Sequence, residues 1–344
     1  MIGLASFGCK KTPPPQPPPA ATPASETPAA TPAETPKTMP APNAPPPAAP
    51  APPPPVTHTA PPPAEIWKEF SAEKAMEQTK KQVDVGPRPS GSADLEKARV
   101  LITDSLKSSG WDVERQEFND DTPRGSIHFV NLIARFSANG VHPAPSNTQT
   151  AIVSSHYDTK RYSLIRFLGA CDGASSTGAL LELARVLAMD PAMAAKIELV
   201  FFDGEEAIEQ FTETDGLWGS RHYASDLLAS GRNRQFKFAI LWDMLGDKDL
   251  DITLPPDSPA NLAKGIFAAS EALGLRKNFS YLSRDITDDH VPLGRIARIP
   301  AIDLIDFNYV YWHTADDTLD KINPESLRKA GAVTLYFLRQ NLGR

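Results

Sequence analysis

Over residues 65–344 the apolar positions recur with the period of a helix or of a strand, and over residues 1–64 they follow neither. Ile66, Phe70, Met76 and Val83 lie at helical spacing and predict a helix over 65–82. The run Gly86-Pro87-Arg88-Pro89-Ser90-Gly91 breaks it, because two prolines and two glycines do not continue a helix. A second amphipathic helix is expected over 93–109, stopped by Gly110. Residues 112–118 and 126–136 alternate as strands do, and 150–155 form a short apolar strand that gives way to Ser154, Ser155 and His156. A helix over 175–189 precedes the buried strand 197–202, which runs into Asp203-Gly204-Glu205-Glu206. Further on, the pattern predicts a helix at 220–228, a strand at 236–242 ending at Asp243, a helix at 259–273, a strand at 299–304 and a closing helix at 324–340 with Pro324 at its start. Strands alternating with helices imply an α/β, three-layer sandwich: a central mixed, mostly parallel sheet flanked by helices. Ligands in such sheets bind beyond the carboxyl ends of the strands.

Composition separates the chain into two parts. Of its 35 prolines, 23 fall in residues 1–64, where Phe7 is the single aromatic residue. A segment so poor in apolar surface is expected to be an extended, polyproline-like tether, and residues 65–344 are expected to form one catalytic domain. The tether carries three Lys and two Glu, so residues 65–344 hold 32 basic against 40 acidic side chains. That sign is wrong for a nucleic-acid binder, and no basic stripe is present. No apolar run in this part approaches the ~20 residues of a membrane-spanning helix. Two cysteines, Cys9 and Cys171, do not make a disulfide scaffold. The start M-I-G-L-A-S-F-G-C has a small residue before Cys9 and a long spacer after it, the arrangement of a bacterial lipoprotein. The expectation is therefore a place in the bacterial cell envelope or periplasm, or secretion, with a lipid on Cys9. The stretch before Cys9 lacks a basic start, so a protein with a low-complexity leader stays open as the other reading.

His156 with Asp158, Asp172, the Glu205-Glu206 pair, Asp243 and His313 all fall at strand ends or in the loops after them. Taken singly, each has an ordinary explanation, since a Glu pair often starts a solvated helix and an Asp before glycine often caps one. Their coincidence points to a shared metal centre. Zinc takes neutral imidazole and carboxylate ligands, and a catalytic zinc keeps one position open. Adjacent glutamates suit such a centre, one as ligand and the other as proton carrier.

The motifs S-S-H-Y-D-T-K (154–160), G-A-C-D-G-A (169–174), F-F-D-G-E-E-A (201–207), L-W-G-S-R-H (217–222), D-D-H (288–290) and W-H-T-A-D-D (312–317) together resemble the animal-type glutaminyl cyclases of the zinc aminopeptidase-like superfamily. The resemblance extends through G-P-R-P-S-G-S (86–92), N-L-I-A (131–134) and L-E-L-A-R-V-L (181–187), so it covers residues 65–344 and none of the tether. It implies a monomeric catalytic domain that cyclises N-terminal glutamine of peptides to pyroglutamate and releases ammonia. It also implies a single zinc ion on Asp172, Glu206 and His313, with Glu205 as proton shuttle. Asp243 and Asp288 would form a hydrogen-bonded acidic pair beside the leaving amide, and Trp312, Phe211 and Asp289 would meet the substrate.

A two-zinc aminopeptidase is the alternative, with Asp172 bridging one ion on His156 and Asp243 and another on Glu206 and His313. The cyclase is favoured by the ten residues 207–216 inserted before Leu217-Trp218-Gly219-Ser220, by the extra acidic pair at 288–289 and by Trp312 beside His313. Phe211 stands where the family pattern has a tryptophan, and the paired cysteines of the animal enzymes are missing, Cys171 being expected as a buried, inert thiol. A third reading, a non-enzymatic binding module on a proline-rich stalk, predicts lost metal-site residues, yet all of them are present.

Overall fold

The structure is a computed structural model that describes residues 61–137 and 148–343. Cys9 and the expected tether, except for residues 61–64, lie outside the described residues. The chain divides into Met1–Pro52 and Pro53–Arg344, and every described helix and strand belongs to the second unit.

A short 3-10 turn, Ile66–Glu69, leads into α1 (Ala72–Val85) and α2 (Ala93–Ser108), followed by β1 (Trp111–Thr122), β2 (Gly125–Phe136), β3 (Ala151–His156), α3 (Ser176–Leu187), α4 (Pro191–Ala194), β4 (Ile197–Phe202) and α5 (Trp218–Ser230). The second half adds β5 (Phe238–Asp243), β6 (Ile252–Leu254), α6 (Ala260–Ala272), β7 (Phe279–Tyr281), α7 (His290–Arg295), β8 (Ala301–Ile305) and α8 (Pro324–Leu342). Serines start the first two helices: Ser71 Oγ accepts from the Lys74 N–H at 3.2 Å and Ser92 Oγ from the Leu95 N–H at 3.0 Å.

The eight strands form one sheet in the order β1-β2-β4-β3-β5-β8-β6-β7. The centre, β4-β3-β5-β8, is parallel, as is β6-β7, whereas β1-β2, β2-β4 and β6-β8 are antiparallel. The sheet is thus mixed and mostly parallel, as the alternation of strands and helices implies.

Every residue of β3, β4, β5 and β8 is buried, because both faces are covered. Alternate residues serve opposite layers. Val153, Leu199, Phe201, Ile240 and Ile302 pack with Leu180, Leu183, Val333 and Leu338 of α3 and α8. Ile152, Val200, Phe202 and Ala239 pack with Tyr223 and Leu227 of α5 and Leu293 of α7. A one-residue slip would exchange these two sets, and at roughly 1.5–3 kcal/mol for each large buried side chain the register is firmly specified. That register carries the strand-end residues to one edge of the sheet.

The structure adds β6, β7, α4 and α7 to the elements expected from the pattern. It also joins 112–118 and 126–136 into a long hairpin whose polar tip reaches Thr122 and Gly125. The residues at that tip are exposed and carry no hydrophobic alternation.

Candidate active site

The connections at the carboxyl ends of the four central strands converge on one cavity of about 530 Å³. β3 ends on His156 and β5 on Asp243, the turn after β4 supplies Glu205 and Glu206, and the loop after β8 supplies His313. Asp172 comes from the irregular turn 170–175 before α3.

Asp172 stands between two groups of donors. Its Oδ1 is 3.3 Å from His156 Nε2, which is also 3.2 Å from Asp243 Oδ1. Its Oδ2 is 3.4 Å from His313 Nε2, which is 3.1 Å from Glu206 Oε1. The structure therefore brings all five candidate ligands together, as the sets His156–Asp172–Asp243 and Asp172–Glu206–His313. Separations of this size match neighbouring donors around an ion bound at roughly 2.0–2.2 Å.

Local backbone makes this convergence accessible. Gly173, at φ +87°, lets the ligand turn close on β3, since a Cβ there would sit 2.7 Å from the Asp158 carbonyl oxygen and 3.2 Å from His156 Cε1. His313 at φ +59° and Met244, next to Asp243, at φ +48° hold left-handed backbone without being glycine. Such strain persists where surrounding structure fixes it, and here it borders the donors.

Asp158 and Asp317 hold the ligands in place. Asp158 accepts from the backbone N–H groups of Glu205 and Glu206 at 3.2 and 3.3 Å and lies 3.4 Å from His156 Nδ1. Asp317 accepts from the N–H groups of Cys171 and Asp172 at 2.8 and 3.1 Å and from the Tyr309 hydroxyl at 2.7 Å. Buried Arg88 donates to the carbonyls of Tyr157, Leu168 and Gly169, tying the two loops together. Asp317 and Arg88 both lie in motifs that the sequence displays, but their work as ligand supports does not show there, because their partners are distant backbone atoms.

The electrostatics show what the site is short of. Burial, then the charges of Asp288 and Glu206, pushes the Glu205 carboxyl well above the usual carboxylate range. Burial and the charge of Asp172 raise Glu206, and burial lifts Asp243 to about 7 against the pull of His156. Asp172 is the exception: burial pulls it up, but the hydrogen bond from His156 and the charges of His313, His156 and Arg88 hold it below its ordinary value. Asp172 Oδ2 and His156 Nδ1 are buried without a hydrogen bond. A crowded set of buried carboxylates and imidazoles with unpaired atoms is short of positive charge, and its oxygen and nitrogen donors fit a divalent ion of the zinc type.

The cavity wall is apolar and aromatic around this acidic floor. Phe211, Ile286, Phe307 and Trp312 line it with Glu205, Asp243 and Asp288. Trp312 stacks on His313 with ring centroids 4.2 Å apart, and Phe211 and Trp312 remain 41% and 43% exposed to the cavity and its mouth. The inserted segment supplies Glu209, Gln210 and Phe211 to the wall. Asp215 holds it by accepting from the N–H groups of Ile208, Glu209 and Gln210 at 2.7–3.0 Å.

Two expectations need correction. Asp289 does not line the cavity: it is fully buried just before α7, where its N–H donates to Asp288 Oδ1. Asp243 and Asp288 influence each other by charge, yet Asp243 faces His156 while the Asp288 carboxyl faces Asp303. A tight turn following a loop left that pairing open in the sequence. Cys171 is, as expected, a buried free thiol, and burial raises its pKa well above the ordinary value.

Residues 131–338 match Peptidase family M28. The chain is 32% identical over 263 residues to a glutaminyl-peptide cyclotransferase of Drosophila melanogaster, a match covering 69% of this chain and 72% of the relative. A glutaminyl cyclase from an Acidobacteriales bacterium superposes with a TM-score of 0.70 at 32% identity, covering 85% of this chain and 98% of that one. The Porphyromonas gingivalis glutaminyl cyclase superposes with a TM-score of 0.70 at 27% identity, over 79% of this chain and 98% of that one. With the donor sets, the sheet and these likenesses in agreement, the chain belongs to Peptidase family M28 and, within it, to the glutaminyl-peptide cyclotransferases.

Proposed function

We propose that this enzyme cyclises the N-terminal glutamine of peptides and proteins to pyroglutamate, with release of ammonia. The observation that carries the reading is that Glu205 lines one cavity together with the Asp172–Glu206–His313 donors, Asp288 and the aromatic side chains Phe211, Phe307 and Trp312.

Asp172, Glu206 and His313 would hold a zinc ion, whose chemistry when bound is to polarise the γ-carbonyl of the substrate. The free α-amine forms a C–N bond to the γ-carbon while Glu205 takes a proton from the amine. Glu205 then gives that proton to the departing γ-nitrogen, the old C–N bond breaks and ammonia leaves. A carboxyl whose ordinary acidity is weakened by burial and by its acidic neighbours suits both halves of this transfer. Asp288 and Glu206 supply the negative surroundings that hold the proton on Glu205 near the leaving nitrogen. Trp312 and Phe211 fold the glutamine side chain back on its amine, a contribution of orientation rather than of acid–base chemistry.

A second reading has a specific observation behind it. His156, Asp172 and Asp243 form a complete donor set beside the first, as a two-metal aminopeptidase requires. One experiment separates the two: the purified protein is incubated with a Gln-initiated and an Ala-initiated peptide and the products are weighed. The cyclase predicts loss of one ammonia from the first and an intact second; a shortened second peptide would establish the aminopeptidase instead.

A further inference from the structure

Large apolar side chains scattered singly over a surface need no explanation, but here they gather. Among the described residues eight remain exposed, and five of them, Tyr162, Leu164, Phe211, Val310 and Trp312, fall on three loops that border the catalytic cavity. These loops are residues 160–168 after β3, the inserted 207–216 and 306–314 after β8, and they contribute Lys160, Phe211 and Trp312 to the cavity wall. The other three exposed side chains, Val100, Leu228 and Tyr281, lie on α2, α5 and β7.

Ring contacts tie this apolar surface to the metal donors. Tyr162 meets His313 edge-on with centroids 6.1 Å apart, His313 stacks on Trp312, and Trp312 lies 5.3 Å from Phe307, so a row of aromatic rings passes through a candidate ligand. Leu164 follows Tyr162 by two residues and is 95% exposed; Val310 precedes Trp312 by two and is 79% exposed. The same two loops are anchored from beneath. Phe167 is buried edge-on against His313 at 5.7 Å, and buried Tyr309 donates its hydroxyl to Asp317. An apolar surface carried on anchored loops is formed in advance, so a ligand does not have to order it.

We propose that the loops 160–168 and 306–314 form a second subsite, which selects peptides carrying a large apolar side chain directly after the N-terminal glutamine. The subsite rests on the proposed reaction. With the glutamine side chain at the Asp172–Glu206–His313 donors, the remainder of the peptide has to leave through the mouth of the cavity, whose bordering loops carry Tyr162, Leu164, Val310 and Trp312. A leucine or phenylalanine in second place removes its own apolar area and theirs from water together. A polar side chain in that place exchanges water for rings and gains nothing.

The test is kcat/KM of the full chain for Gln-Leu-, Gln-Phe- and Gln-Ser-initiated peptides that are identical beyond the second residue, followed by ammonia release. Wild type should favour the leucine and phenylalanine peptides over the serine peptide by about tenfold, chiefly through KM. The double variant Leu164→Ser, Val310→Ser should lose most of that preference. Both side chains are exposed, so the fold does not depend on them, and a thermal melt of the variant checks this. Val100→Ser, the same kind of change on α2, should keep the wild-type ratio. Equal kcat/KM for the three peptides in wild type, or a preference that the double variant retains, overturns the subsite. Cyclisation of the serine peptide reads the reaction by itself, so a missing preference leaves the proposed reaction standing, whereas no ammonia from any of the peptides removes the reaction and the subsite with it.

Discussion

At the scale of single residues, adjacency in sequence conceals opposite tasks. Glu205 and Glu206 share one anchor, since Asp158 accepts from both backbone N–H groups. Yet Glu206 turns to His313 while the Glu205 side chain is left to the cavity. Replacing Glu205 by Gln keeps the shape and removes the proton carrier. The expected outcome is a kcat lower by about 10²–10⁴ with zinc content unchanged; loss of zinc from this variant would reassign Glu205 as a ligand. Donors such as Asp172, Glu206 and His313 were legible because each follows an apolar strand or interrupts a glycine-rich turn. Asp317 and Asp303 were not, because a carboxylate that accepts backbone N–H groups, or lies beneath a loop distant in the chain, has its meaning only after the sheet has formed.

The inserted segment 207–216 shows how an element without regular structure is made rigid. Asp215 is buried and offers its two oxygens to three successive N–H groups, and the segment ends at Gly216, where a Cβ would strike the Phe211 ring at 2.8 Å. Asp215→Ala leaves three N–H groups without an acceptor, at a cost of about 2 kcal/mol. Its effect should fall on KM for Gln peptides more than on kcat, because Phe211 loses its seat while Glu205 keeps Asp158. Steady-state kinetics with a parallel thermal melt check this, and an unchanged KM would mean that the loop takes no part in the pocket. Elements with clear periodicity were legible to within a few residues, β4 at both ends. β6 and β7 escaped because three residues each are too few to show a period, and α7 because its Pro292 and Gly294 read as breakers while packing beneath β8 sustains the helix.

For the molecule as a whole, burying many acids makes folding a proton-binding event. Away from the metal ligands, burial raises Asp306 from 3.8 to about 7 and Asp203 to about 6. A raised carboxyl keeps its proton in the fold after the unfolded chain has released it, so stability falls as pH rises from about 4 towards about 7. For Asp306 the full effect is of the order of 4 kcal/mol. Wild type should thus lose more stability to urea between about pH 5 and about pH 8 than Asp306→Asn does, and parallel losses would contradict the assignment. The proline-rich leader sets the other property of the whole. The cavity, both donor sets and every residue with a chemical role lie within 65–344. The described elements begin at Ile66, and its side chain is already part of the core. A segment of alanine, threonine and proline has almost no apolar surface with which to join that core, so we propose that it serves as a tether, with an acyl chain on Cys9 as its anchor. Removing residues 1–64 should leave kcat, KM and the melting temperature of the enzyme as they were, and should release it from membranes if Cys9 is acylated in the full chain. Kinetics and melting of the two forms side by side measure this; a large fall in activity would place part of the leader inside the catalytic domain.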